Sequence, residues 1–458
     1  MILLFRGRSI DRACTLSQRS IVQKKVAPLD ALTALLRLAP GVWPRRLVSV
    51  NITHRRLRSH VAHIDMASPR EPMYPAIPVL HTRGSYYEVG YNIGFTFADR
   101  IKRFWQESVE MKTLVKPFGE TERGRQYVGK ALKVCKENFP CFIRELQGMA
   151  DGCGMEFSDL FLVNVSKEII NALSGQEVEP NSLSSGCSEV FINTPKYKLM
   201  AHNEDADPMI KPYGYFVKAC IVENKKEVEN FTAFCYPGFL AGVAFNFNSH
   251  GMVFSMNGLY VNIVAESAPP RAFLNRSVIR ARTVEEAKSL LRNSPFGSAY
   301  SFTVNIVDVK NHKSMWSIEV GPREKESEVH VQEIPEVCDP EKPCHYLHFN
   351  SIKHLKNLMS AGIPNPSSIT RTQVAEKFPP VTTRQDALKL LGDERDKLYP
   401  IFRSDRPTDH SETVFTTMVE PLRNRVEVYQ GNPSLPGAQP FMYFNILEGE
   451  DGDGDKTS

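Results

Sequence analysis

The chain has 458 residues, 42% of them hydrophobic and 24% charged, a balance suited to a globular protein with one large domain or two ordinary ones. No apolar run approaches the roughly 18 to 20 residues needed to cross a bilayer, so no membrane partner is expected. Residues 1–65 carry 12 Lys or Arg against three acids and the remainder 44 against 49, so the body is mildly acidic and its overall charge does not suggest a nucleic-acid binder.

Residues 1–65 stand apart as a basic extension. Their acid-poor composition is that of a mitochondrial presequence; the competing reading is a translation start at Met66, with the leader unordered or absent. The expected location is cytoplasmic, or mitochondrial if the extension is a presequence. A helical half follows, over 66–186. "AIPVLHT" (76–82) reads as a short strand, and 85–116 has helical spacing with Val89, Ile93, Phe97 and Ile101 on one face. A second helix fits 121–149, opened by Thr121 and closed by "DGCG"; a third fits 158–173 with Ser158 as its N-cap.

From Ser188 the period switches towards two. "SEVFINT", "KLMAHNED", "YFVKACIVEN" and "FTAFCYPG" alternate as strands, and Asn248–Gly251 reads as a hairpin turn within "AGVAFNFNSHGMVFSMNGL". A helical block over 272–291 precedes four more strands: "SFTVNIVDV", "SMWSIEVG", "EVHVQEI" and "HYLHFN". Helices at 369–377 and 382–396 lead to a last pair, "ETVFTTMVE" and "RVEVYQGNP", linked at Pro421–Asn424. Residues 446–458 form an acidic tail expected to be disordered. Helices, sheet, helices and sheet again predict an α+β protein with antiparallel sheets covered by helices.

No G-x-G-x-x-G or P-loop pattern points to a nucleotide. The nine cysteines include no C-x-x-C pair and no zinc-type Cys/His spacing, so a reducing compartment, no metal and no cofactor are expected.

Cys187 lies where the two halves meet, in "NSLSSGCSEVFINT". As a nucleophile it needs a base or a lowered pKa. Were the Gly186–Cys187 bond cut, Cys187 would carry both thiol and amine, and an α-amine titrates near 7.7–8.0. Gly186 suits such a cut if the residue before the scissile bond must tolerate strained dihedrals. Asp205 ends the next predicted strand and could face the new amine; Asn350 ends another and could donate to an oxyanion. Against this stand plainer readings. Cys187 could be an inert core thiol, as Cys220 and Cys235 are taken to be. Asp205 could cap a turn, and Asn350 could pair with loop backbone. His202 and His348 read as hydrogen-bond partners rather than bases, and Glu204, on the strand face opposite Asp205, as non-catalytic.

At these residues the sequence resembles the N-terminal-nucleophile hydrolases related to isopenicillin N acyltransferase, and within them the arthropod hydrolases of β-alanyl amines. Gly186-Cys187-Ser188 matches the family's cleavage site, Asn203-Glu204-Asp205 its Asn-x-Asp strand end, His348-Phe349-Asn350 its His-x-Asn motif, and Gly431-Asn432-Pro433 its late G-x-P. The likeness covers roughly 75–445. It implies a four-layer αββα sandwich made as a precursor and cut autocatalytically before Cys187. The products, 1–186 and 187–458 with its catalytic part at 187–445, would stay associated. It further implies cleavage of a small-molecule amide such as β-alanyl-dopamine or β-alanyl-histamine through an acyl-enzyme on Cys187, with catalytic Asp205 and Asn350. His202, His348 and His410 are candidates for substrate contact or support. His410 occupies the place of an arginine in the acyltransferases, so no arginine role is carried over. The alternatives are an acyltransferase or amidase on other N-acyl amines or peptides, a papain-like protease, and a non-processing binding protein of the same fold. The predicted strand at Ser188–Asn193 argues against the papain-like reading, which needs the cysteine at a helix start.

Overall fold

The structure, a computed structural model, describes residues 76–173, 186–339, 342–362, 365–404 and 411–448. The basic extension, the His410 position and the tail from 449 onward lie outside these residues.

Strands run in chain order as β1 Val79–Gly84, β2 Ser188–Asn193, β3 Lys198–Ala206, β4 Tyr215–Glu223, β5 Lys226–Cys235, β6 Asn246–Asn248 and β7 Met252–Gly258. Then come β8 Gly297–Ser298, β9 Phe302–Asp308, β10 Ser314–Gly321, β11 Arg323–Glu324 and β12 Glu328–Pro335. The last are β13 His345–His348, β14 Glu412–Glu420, β15 Arg425–Tyr429 and β16 Met442–Asn445. An eight-stranded sheet has the order β1-β4-β5-β6-β7-β9-β10-β12, and a six-stranded sheet the order β13-β2-β3-β14-β15-β16. The protein is thus α+β, built on two large, mostly antiparallel sheets.

One pair departs from the antiparallel expectation: β1 runs parallel to β4. A parallel pair needs a long crossover. Here the helical half, with β2 and β3 of the other sheet, lies between the two partners.

That half is more broken than its periodicity implies. The stretch 85–116 divides into helices Tyr86–Thr96 and Ala98–Glu107 and a π-helical turn, Met111–Val115. The stretch 121–149 divides at Phe139 into Glu122–Asn138 and Pro140–Cys153. Pro140 has no N–H to continue the first helix and keeps Phe139 out of helical geometry, at φ −128° and ψ 51°. The third helix, Phe157–Asn164, has Glu156 rather than Ser158 at its N-cap position, and the chain passes on to a second π turn at Ile169–Leu173. Helices Tyr86–Thr96 and Pro140–Cys153 cross through glycines. A Cβ on Gly90 would come within 1.9 Å of the Glu145 carbonyl oxygen, and one on Gly148 within 2.0 Å of that of Tyr87.

The face each strand presents follows from the alternation of its residues. On β4, Tyr215 stacks on Phe97 of the helical half at 3.8 Å while Phe216 points the other way, to Phe415 and Phe444 of the six-stranded sheet. Phe234 of β5 meets Phe415 edge-on at 4.7 Å, a geometry worth about 0.5–1.5 kcal/mol beyond area burial. The other face of the six-stranded sheet carries Val190, Ile192, Leu199 and Ala201, packed with Ala375, Leu388 and Leu391 of helices Pro366–Glu376 and Arg384–Leu391. With both faces covered, β2 and β3 are buried along their whole length. Among the described residues no helix is long and apolar enough to cross a membrane.

Candidate active site

Cys187 immediately precedes β2, which pairs antiparallel with β3 in a register that sets Ser188 opposite Asn203 and Glu189 opposite His202. Extending that register by one step puts Cys187 opposite Glu204, so the two share a face. The Cys187 Sγ lies 3.7 Å from Glu204 Oε1 and 4.0 Å from the main-chain oxygen of Asp205. Glu204 is therefore the carboxylate on the face of the thiol, and it lies on the strand face opposite Asp205, as alternation along the strand requires.

Behind the thiol stands a buried polar array. The Tyr236 hydroxyl donates to Glu204 Oε1, and His202 bridges two acids, with Nε2 at 3.2 Å from Glu204 and Nδ1 at 2.7 Å from Glu189. Glu189 also accepts from Ser255 Oγ at 2.5 Å and from Asn305 Nδ2 at 3.0 Å. Burial works against charge on His202, but Glu189 and its other partners outweigh this and hold its pKa well above the ordinary value. Burial, reinforced by Glu204, pushes the Cys187 thiol up to about 11. The Cys187 sulfur, a His202 ring nitrogen and a Glu204 oxygen lie within 4.8 Å of one another, a donor set that could hold a metal ion. Residues brought together across two strands leave no Cys/His spacing in the sequence.

Asp205 points to the other face. Its Oδ1 accepts from Thr413 Oγ1 at 2.7 Å, and its Oδ2 lies 3.7 Å from Arg403 Nε. Burial raises its carboxyl to about 6 while Arg403 and Arg371 pull it down. Asn350, just past β13, donates from Nδ2 to the Gly258 carbonyl at 2.9 Å. Its Oδ1 accepts from Arg371 Nη2 at 2.7 Å, and Arg371 Nη1 reaches the Cys187 carbonyl at 2.8 Å and Ser188 Oγ at 3.0 Å. Burial, with Arg403 close by, lowers Arg371 to about 10. Gly186 owes its place to contact: a Cβ there would lie 2.1 Å from Asn350 Oδ1.

The structure thus gathers Gly186, Cys187, His202, Asp205 and Asn350 around one position. His348 lies opposite Glu189 in the β13–β2 register, with its Nε2 3.4 Å from Glu319, which also accepts main-chain N–H bonds from Lys353, His354 and Leu355. Arginine reaches the site from Arg371 and Arg403, both unnoticed in the sequence. The available signal was Ser367 and Arg371, four apart on a buried helix face.

A cleft opens over the thiol, bordered by Gly186, Cys187, Glu204 and Asp205. Its walls include Phe104, Tyr236, Phe239 and Phe302, and each π-helical turn contributes a residue, Met111 and Ile170. Glu110 and Asp207 add carboxylates at the same cleft. A profile of the family described as acyl-coenzyme A:6-aminopenicillanic acid acyl-transferase matches residues 192–435.

The chain belongs to that family.

It is 30% identical over 374 residues to the β-alanyl-dopamine/carcinine hydrolase of Drosophila melanogaster, covering 79% of this chain and 95% of that protein. Membership makes the chain an enzyme, an amide hydrolase of the acyl-transferase family, and sets aside the papain-like alternative.

Proposed function

We propose that the protein is a self-processing N-terminal-nucleophile hydrolase of β-alanyl amines, with β-alanyl-dopamine and β-alanyl-histamine as substrates. The observation that carries this reading is Cys187, directly after Gly186 and at the foot of the cleft, with the Asn350 amide against Gly186. Attack of Sγ on the Gly186 carbonyl would release the Cys187 amine. The sheets and their helices would form the four-layer αββα sandwich, and the pieces 1–186 and 187–458 would remain one assembly.

In turnover, the amine of Cys187 takes the thiol proton, and Sγ attacks the substrate carbonyl. Asn350 Nδ2 turns from the Gly258 carbonyl to the developing oxyanion, a service worth about 2.7–4 kcal/mol for one donor in measured cases. Asp205, restrained by Thr413 and Arg403, supports the nucleophile's main chain. The amine product leaves with a proton, and water releases β-alanine from the thioester. The aromatic walls of the cleft suit a substrate with a flat ring, and its carboxylates, of which Glu110 is paired with Lys167, suit an ammonium group. Acyl transfer to an amine acceptor is the second reading, favoured by the family match itself.

Incubation with both β-alanyl amines, with release of β-alanine measured, is the test. Release by the wild type and none by Cys187→Ala is expected. No release by a sample cut at Cys187 would end the substrate claim.

A further inference from the structure

We infer that Glu204 is the base that takes the Cys187 thiol proton in the uncut chain, a role that rests on the self-cleavage proposed above. Before the cut, the nitrogen of Cys187 belongs to a peptide bond and has no basic lone pair. The amine that serves turnover is therefore missing from the step that creates it, and the uncut chain needs another base.

The geometry singles out one carboxylate. Glu204 Oε1 stands 3.7 Å from Sγ on the same face of the sheet, buried to 1% exposure yet at the cleft. Asp205 is the rival acid, but it approaches the sulfur through its main-chain oxygen while its carboxylate is occupied with Thr413 and Arg403. Glu204 is also fixed in place, by Tyr236 on one oxygen and by His202 on the other. His202 is in turn anchored by Glu189, so its imidazole is held beside both Glu204 and the sulfur. His202 is a positioning residue in this scheme, and Glu204 a catalytic one.

The step balances without any other reactant than water. The thiol proton passes to Glu204, Sγ bonds to the Gly186 carbonyl carbon, and the carbon–nitrogen bond to Cys187 breaks. The proton returns from Glu204 to the departing nitrogen, leaving a Gly186 thioester on the Cys187 sulfur and a free amine. Water then cleaves the thioester to give the Gly186 carboxylate and the thiol.

The test follows cleavage of pulse-labelled full-length chain by gel and intact mass, comparing wild type with Glu204→Gln and Glu204→Ala. Glu204→Gln should slow the cut at pH 7 by about 10²–10⁴-fold, the usual contribution of a placed proton acceptor. Its residual rate should climb about tenfold per pH unit as the thiol ionises unaided. In Glu204→Ala, added formate should restore cleavage in proportion to its concentration. Equal cleavage of wild type and Glu204→Gln would overturn the inference and leave self-processing standing. So would a block that neither raised pH nor formate relieves, because that marks a structural role. A wild type that is never cut between Gly186 and Cys187 would instead remove the reading underneath.

Discussion

Arg371 holds Asn350 Oδ1 at 2.7 Å and the Cys187 carbonyl at 2.8 Å with the two ends of one guanidinium. A planar fork of this kind has fixed spacing between its donors, so it sets the separation of the Cys187 main chain from the amide beside it. Anchoring Oδ1 also determines that Nδ2 is the end of the amide left to act as a donor.

Replacing Arg371 with Lys keeps the charge and loses the fork. The expected result is a fall in kcat of about 10²-fold with a much smaller change in KM, as for loss of one oriented oxyanion donor. Asn350→Ala should match it, and the double variant should be no worse than either single one. Steady-state kinetics on a β-alanyl amine checks this; additive losses would mean that the two act separately.

Gly186→Ala puts a methyl group where Asn350 Oδ1 now lies, 2.1 Å from the new carbon. Asn350 must then move or the chain before Cys187 must shift. Self-cleavage should slow by about tenfold or more, since small displacements of reacting groups are costly. Intact mass over time reads the rate, and wild-type speed would show that Asn350 need not hold its position.

Glu319 makes a pH prediction whose sign is fixed by its partners. Burial alone would raise its carboxyl, but His348 and the N–H groups of Lys353 and His354 prevail and bring it down to about 2. A depressed carboxylate stabilises the fold above its unfolded pKa of about 4.5, and that stability is lost as pH falls towards 2. The full effect is about 3 kcal/mol. Urea unfolding of wild type should weaken across this window, and Glu319→Gln should start weaker and show a flatter profile there. Parallel profiles would contradict the assignment.

Arg276 is buried between Glu145 at 2.9 Å and Glu229 at 2.7 Å. Arg276→Met would leave two buried carboxylates without their cation, at a cost of about 3–5 kcal/mol. A drop in the urea midpoint is expected, with little change in KM for protein that remains folded. Undiminished stability would show that the acids find other partners or take up protons cheaply.

Much of this arrangement was legible before any coordinates. Cys187, Asp205 and Asn350 sit on strand ends, where alternation and turn residues make register readable, and β2 and β14 occupy the expected spans. The helical half was read less well. The helices break at Phe139 and Ser108 although the apolar spacing runs on, because Pro140 and the π turn at Met111 redirect the chain without changing its periodicity. The nearness of Glu204 to the thiol was not legible, because alternation along β3 parts it from Asp205 but does not say which face receives the thiol; only pairing with β2 decides that. Arg371 and Arg403 come from remote helix and loop positions, and no local pattern connects them to Cys187.

The six-residue pairing of β1 with β4 has a consequence for the proposed cut before Cys187. Strand β1 precedes residue 186 and β4 follows it, so a cut there leaves one polypeptide lending an edge to a sheet that otherwise belongs to the other. Losing the smaller piece would bare the hydrogen-bonding edge of β4, a template for association with further chains. Irreversible aggregation, rather than reversible exchange of subunits, is then the natural fate of a separated larger fragment.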